Sequence, residues 1–170
     1  MAIDGCDKSF PELAQTVLPQ YMVDLRKAIK TPKPLSAFAE PGVGPVTLCR
    51  RFGYKSDPIG CYVIIDNKKP IYVGISKHIF QRLMEHVRQG DHYTATLAYR
   101  MAATRNPHNG TAKEAMKNKV FRRRFDESRQ ELLSMSVAFI EIINPLELYL
   151  FEAYCAMMLD TCKWNTFRTH

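Results

Sequence analysis

The stretch GCYVIIDNKKPIYVGIS, from Gly60 to Ser76, constrains the fold more than any other part of the chain. Two runs rich in β-branched and aromatic residues flank the polar, turn-prone Asn67-Lys68-Lys69, a pattern that predicts an antiparallel hairpin. The alternating, β-rich MSVAFIEII from Met135 to Ile143 predicts a further strand in the same sheet.

Helical signals surround these strands. Leu13, Val17, Tyr21 and Leu25 recur at helical spacing, and Pro19 within that run predicts a break or kink. After the hairpin, Ser76 is placed to cap a helix from Lys77 to Gln89 that Gly90 would end. A second helix is predicted over 93–104 and a third over 111–132, separated by RNPHNG, where Pro107 and Gly110 forbid continuation. Pro145 suits the first position of a last helix. Between Thr31 and Ile59, five prolines and three glycines give loop composition, so this stretch is predicted to drape over the core as an arm.

The expectation is an α+β fold, with a small three-stranded, mainly antiparallel sheet flanked by helices. Residues 1–59 are read as an N-terminal helix and arm, and residues 60–170 as the functional domain with a helical insertion at about 93–133. A chain of 170 residues, 46% of them hydrophobic, can bury one core with elaborations.

The net charge of +7 suits a polyanionic partner, because neutralising phosphates releases counterions. Five cysteines, odd in number and without a C-x-x-C pair, argue against a disulfide framework or a zinc knuckle and fit a reducing compartment. No leader pattern or long apolar run is present, so the expectation is a soluble, cytoplasmic protein without a membrane partner.

Gly60-Cys61-Tyr62, Tyr72-Val73-Gly74, Arg82 and His86 on the following helix, Glu152 on a late helix and Asn165 beyond it form an ordered set. That set resembles the GIY-YIG nuclease family over roughly Gly60 to Phe167. Cys61 stands where isoleucine or valine is usual and Val73 where isoleucine is, and both keep an apolar side chain.

The resemblance implies phosphodiester hydrolysis with Tyr62, Tyr72, Arg82, His86, Glu152 and Asn165 as catalytic residues. Glu152 would hold a single Mg²⁺ or Mn²⁺ that contacts the scissile phosphate and the departing oxygen. Arg82 offers a planar, permanently charged fork matched to phosphate oxygens. His86, four residues on along the same helical face, can donate to phosphate or relay a proton.

Tyr62 is the better candidate for orienting or deprotonating water. A phenol with a reference pKa of about 10 would need a nearby cation for that, from the metal or Arg82. Asn165 resembles the asparagine that holds the family's site together. His92 falls where some members carry a further active-site histidine.

Taken singly, each residue has a plainer reading: tyrosines as cross-strand packing, Arg82 and His86 as a solvated helix face, Glu152 as a lysine's partner and Asn165 as a turn cap. Their joint order and spacing favour the nuclease.

Lys117, Lys119, Arg122, Arg123 and Arg124 make a basic run that is read as contacting backbone phosphates. DNA is the expected substrate and partner, with a compact restriction-type endonuclease as the first reading. A nuclease toxin, a repair or mobile-element nuclease, and a non-cleaving nucleic-acid-binding module remain alternatives. Cleaving both strands with one site per chain would require a homodimer or two successive nicks.

Overall fold

The computed structural model describes residues 2–88 and 90–167; the expected helix end at Gln89, and His170, lie outside them. In chain order the elements are α1 (Phe10–Glu12), a π-helical turn (Leu13–Val17), α2 (Leu18–Ile29), β1 (Lys33–Pro34), a 3-10 turn (Leu35–Phe38), α3 (Pro45–Phe52), β2 (Gly60–Asp66), β3 (Lys69–Ser76), α4 (Ile79–Arg88), α5 (Thr96–Arg105), α6 (Ala112–Lys117), α7 (Lys119–Leu133), β4 (Ser136–Glu141) and α8 (Pro145–Met158). No helix among the described residues is long and apolar enough to cross a membrane.

The chain forms two compact units. The first comprises the chain up to Lys33, Asp57–Ile79 and the chain from Ser136; the second comprises Pro34–Ser56 and Phe80–Met135.

In the first unit, β2 pairs antiparallel with β3 on one side and with β4 on the other. The hairpin turns at Asn67 and Lys68, both with positive φ, as a tight two-residue turn requires. A register shift between Ile64 and Ile65 marks a β-bulge. Cys61, Val63, Ile65, Val73 and Ala138 pack with Leu25 of α2 and with Phe151 and Cys155 of α8 into one buried cluster. The opposite face of β2 and β3 carries Tyr62, Ile64, Tyr72 and Gly74.

The sheet has four strands, in the order β1-β4-β2-β3, and not the expected three. The extra strand is two residues long, and one of them is proline. Such a piece carries no periodic signal, and its place at the sheet edge is where proline is tolerated. The helical run through Pro19 does not break. It widens to a π turn just before that residue, with the Leu18 N–H donating to Leu13 O, and so absorbs the proline.

The second unit overturns the reading of Thr31 to Ile59 as loop throughout. Gly44 and Pro45 open α3, and Gly53, in the left-handed conformation, closes it. These glycines and the proline are start and stop signals rather than breakers. Phe38, Phe52, Tyr54 and Phe80 then form an aromatic cluster with ring centroids 5.5–5.9 Å apart. The expected single helix over 111–132 is two, α6 and α7. The break falls at Asn118, whose side chain accepts the Val120 and Phe121 N–H groups and starts α7.

Candidate active site

Strand register places Tyr62 opposite Gly74 and Ile64 opposite Tyr72, so the two tyrosines are diagonal neighbours on one face of the hairpin. Their ring centroids are 6.3 Å apart with planes inclined at 45°. Tyr62 is only 1% exposed and Tyr72 is half-buried. At Gly74 the Tyr62 ring comes so close to the backbone that any side chain there would force the ring to shift.

Asn165 reaches back to this strand. Its Nδ2 donates to Val73 O at 2.7 Å and its Oδ1 accepts the Val73 N–H at 2.8 Å. The amide thus pairs with the backbone between Tyr72 and Gly74 as a neighbouring strand residue would, fixing the second tyrosine's segment.

Glu152 lies on α8, which packs on β2, β3 and α2. Among the described residues no hydrogen bond or ion pair engages its half-buried carboxylate, and burial raises its pKa above the usual carboxyl value. Its charge also raises the pKa of the neighbouring Cys61 thiol, after the larger effects of burial and the Cys155 thiol. A desolvated carboxylate without a counter-charge fits a hard divalent cation that is otherwise bound by water and phosphate oxygens. No group of three or more His, Cys, Asp or Glu side chains among the described residues is placed to hold a metal ion.

Sequence reasoning missed Glu147, one turn and a residue before Glu152 on α8. Although buried, it accepts from Tyr21 Oη at 2.5 Å and Lys8 Nζ at 2.9 Å, while its backbone N–H is capped by Asn144. Burial pushes its carboxyl up, but the hydrogen bonds from Tyr21 and Lys8 outweigh that and hold it below the usual range. The helix-start pattern Asn144-Pro145 is visible in the sequence; the partners more than a hundred residues away are not.

In the second unit, α4 buries Phe80, Leu83 and Val87 and carries Arg82 and His86 on one face. The Arg82 guanidinium donates to Thr94 O at 2.7 Å, to Glu85 at 3.1 Å and to Thr96 Oγ1 at 3.2 Å. It thereby ties α4 to the chain leading into α5. His86 is fully buried; burial first, and then the Arg82 charge, lower its pKa to about 3. At neutral pH it is an uncharged imidazole, able to donate a hydrogen bond but not to act as a cation.

Lys117 and Lys119 are exposed at the junction of α6 and α7. Arg122 pairs with Asp126 at 3.4 Å, while Arg123 and Arg124 both reach Glu127, at 3.0 and 2.9 Å. Solvent and salt screen exposed pairs of this kind, so they hold the arginines only loosely. The His92 and Tyr93 rings are in contact, with centroids 4.0 Å apart and planes inclined at 36°.

Comparison with curated proteins and with solved structures gave no match. Residues 58–154, more than half of the chain, match the GIY-YIG catalytic domain, and the chain therefore belongs to the GIY-YIG family of nucleases.

Proposed function

We propose that this protein is a divalent-metal-dependent endonuclease of compact restriction type that hydrolyses phosphodiester bonds in DNA. The observation that carries the metal dependence is Glu152, a desolvated carboxylate without a counter-charge among the described residues, in a chain of a nuclease family. Mg²⁺ or Mn²⁺ bound there would polarise the phosphoryl group and stabilise the leaving oxygen.

The other roles follow from chemistry. Tyr62 orients the attacking water and takes its proton, and Tyr72 lines the same face of the hairpin. Arg82 neutralises charge that develops on the phosphoryl oxygens. His86 donates a hydrogen bond as a neutral imidazole, and Asn165 holds the strand that bears Tyr72. Lys117, Lys119, Arg122, Arg123 and Arg124 track the DNA backbone from the insertion at about 93–133 of the nuclease domain, 60–170, with residues 1–59 as an arm.

The test is incubation of the wild type and Glu152→Gln with supercoiled plasmid and Mg²⁺ or Mn²⁺. Nicking or linearisation by the wild type, silenced by EDTA and by the substitution, is expected. A gel shift without cutting in either ion would sink the proposal.

A further inference from the structure

Tyr93 is 75% exposed, unusual for a large aromatic side chain, yet its surroundings are ordered by specific bonds. Asp91 Oδ1 accepts the N–H groups of Tyr93 and Thr94 at 2.8 and 3.0 Å, and Asp91 Oδ2 accepts the Thr94 hydroxyl at 2.9 Å. Arg82 grips the Thr94 carbonyl at 2.7 Å.

Behind Tyr93 the rings continue inward. The His92 ring lies 4.0 Å from it with the planes inclined at 36°, Tyr99 lies 5.7 Å from His92, and Phe121 of α7 lies 5.4 Å from Tyr99. The exposed ring is thus the outer end of a chain of tilted ring contacts that reaches a helix.

The same helix supplies charge next to this loop. Arg122 and Arg129, two turns apart on α7, both lie against the Phe125 ring, with guanidinium carbons 5.6 and 5.8 Å from its centroid. Both lie beside Gly90: a Cβ there would be 3.1 Å from Arg122 Nη2 and 3.6 Å from Arg129 Nη1, and the latter also donates to Arg88 O at 3.4 Å. Two neighbouring guanidinium groups match the oxygens of a phosphate. Three residues separate that spot from Tyr93, a reach of at most about 11 Å.

We propose that the loop 90–94 is a nucleotide contact, in which an unpaired base stacks on Tyr93 and a neighbouring backbone phosphate is taken by Arg122 and Arg129 beside Gly90. The contact rests on the nucleic-acid-cleaving function proposed above and adds to it a preference for DNA with a locally unpaired base. A rigid exposed aromatic beside a paired arginine fork is how proteins hold single-stranded segments without reading their sequence.

The test is binding in EDTA, which keeps cleavage off. Two probes are used: a duplex with a short single-stranded flap carrying 2-aminopurine, and the fully paired duplex of the same length. The wild type should quench the flap base and bind the flapped probe more tightly. Tyr93→Ala should abolish the quench and weaken flap binding roughly tenfold, with little change on the paired duplex. Tyr93→Phe should behave as wild type.

Arg122→Ala with Arg129→Ala should weaken binding and reduce the slope of log affinity against log salt by up to about 1.4, the single-strand value for two contacts. Deoxy and ribo flaps run side by side identify the strand type, and quenching of either supports the contact.

Quenching that persists in Tyr93→Ala, or a wild type that quenches neither flap, overturns the inference. Plasmid cleavage run in parallel separates the two proposals. A wild type that cuts but quenches independently of Tyr93 loses only the contact, whereas Tyr93-dependent quenching with no cutting in any ion loses only the nuclease.

Discussion

The ring of Tyr62 lies directly over Gly74: a Cβ on that glycine would sit 2.4 Å from both the Tyr62 hydroxyl oxygen and Cζ. Because Tyr62 is buried, moving its ring aside would disturb the packing around it. Gly74→Ala should therefore destabilise the protein by about 1–3 kcal/mol and reduce cleavage. A thermal melt checks the first effect. In a Tyr62→Ala background the same substitution should cost much less, and equal costs in the two backgrounds would show that the ring is not what excludes the side chain.

Glu152→Gln should remove cleavage while leaving the fold intact, and in the metal-free protein it should raise the melting temperature. Burial raises the folded-state pKa of this carboxyl above its unfolded value, so its charged form opposes folding at neutral pH. That penalty fades as pH falls through the raised pKa. The melting advantage of Glu152→Gln should accordingly be present at pH 7 and shrink in acid; an advantage that grows in acid would contradict the raised pKa.

His86 predicts an acid-labile unit. Its pKa, near 6.5 when exposed, is held at about 3 in the fold, so between these values the unfolded chain binds a proton that the folded chain refuses. Stability should be fully present above about pH 6.5 and fall as pH drops below it, by up to ~1.4 kcal/mol per pH unit. Denaturant midpoints measured across this range should show the slope in the wild type. A folded His86→Asn variant should show a shallower one.

Lys68 holds a φ of 66° in the hairpin turn, a conformation that opposes its side chain, whereas Asn67 at 46° suits its position. Lys68→Gly should stabilise the hairpin by about 1 kcal/mol, measured as an upward shift in the unfolding midpoint. A decrease would mean that the lost restriction of the unfolded chain outweighs the relieved strain.

The hairpin was legible because alternation and turn chemistry agree over Gly60 to Ser76. α3 was not, because Pro45 and Gly53 are the same residue types that interrupt helices, and only their order relative to the apolar residues separates start from stop. Asn118 was hidden because Phe121 and Phe125 continue the apolar spacing of the helix before it. The pairing of Val73 with Asn165 spans ninety-two residues and has no local trace; the resemblance, not periodicity, singled out that asparagine. The need for glycine at position 74 becomes visible only once register sets it opposite Tyr62.

Asn165 also bears on how the molecule behaves at high concentration. β3 is the last strand of the sheet, and Val73 points its N–H and carbonyl outward at the middle of that strand. Such groups invite another copy's strand to add on, and a single side-chain amide closes them with two hydrogen bonds. Shortening the chain to end before Asn165 would reopen that edge. The consequence to look for is self-association at unchanged secondary structure, seen by light scattering before any loss of circular dichroism.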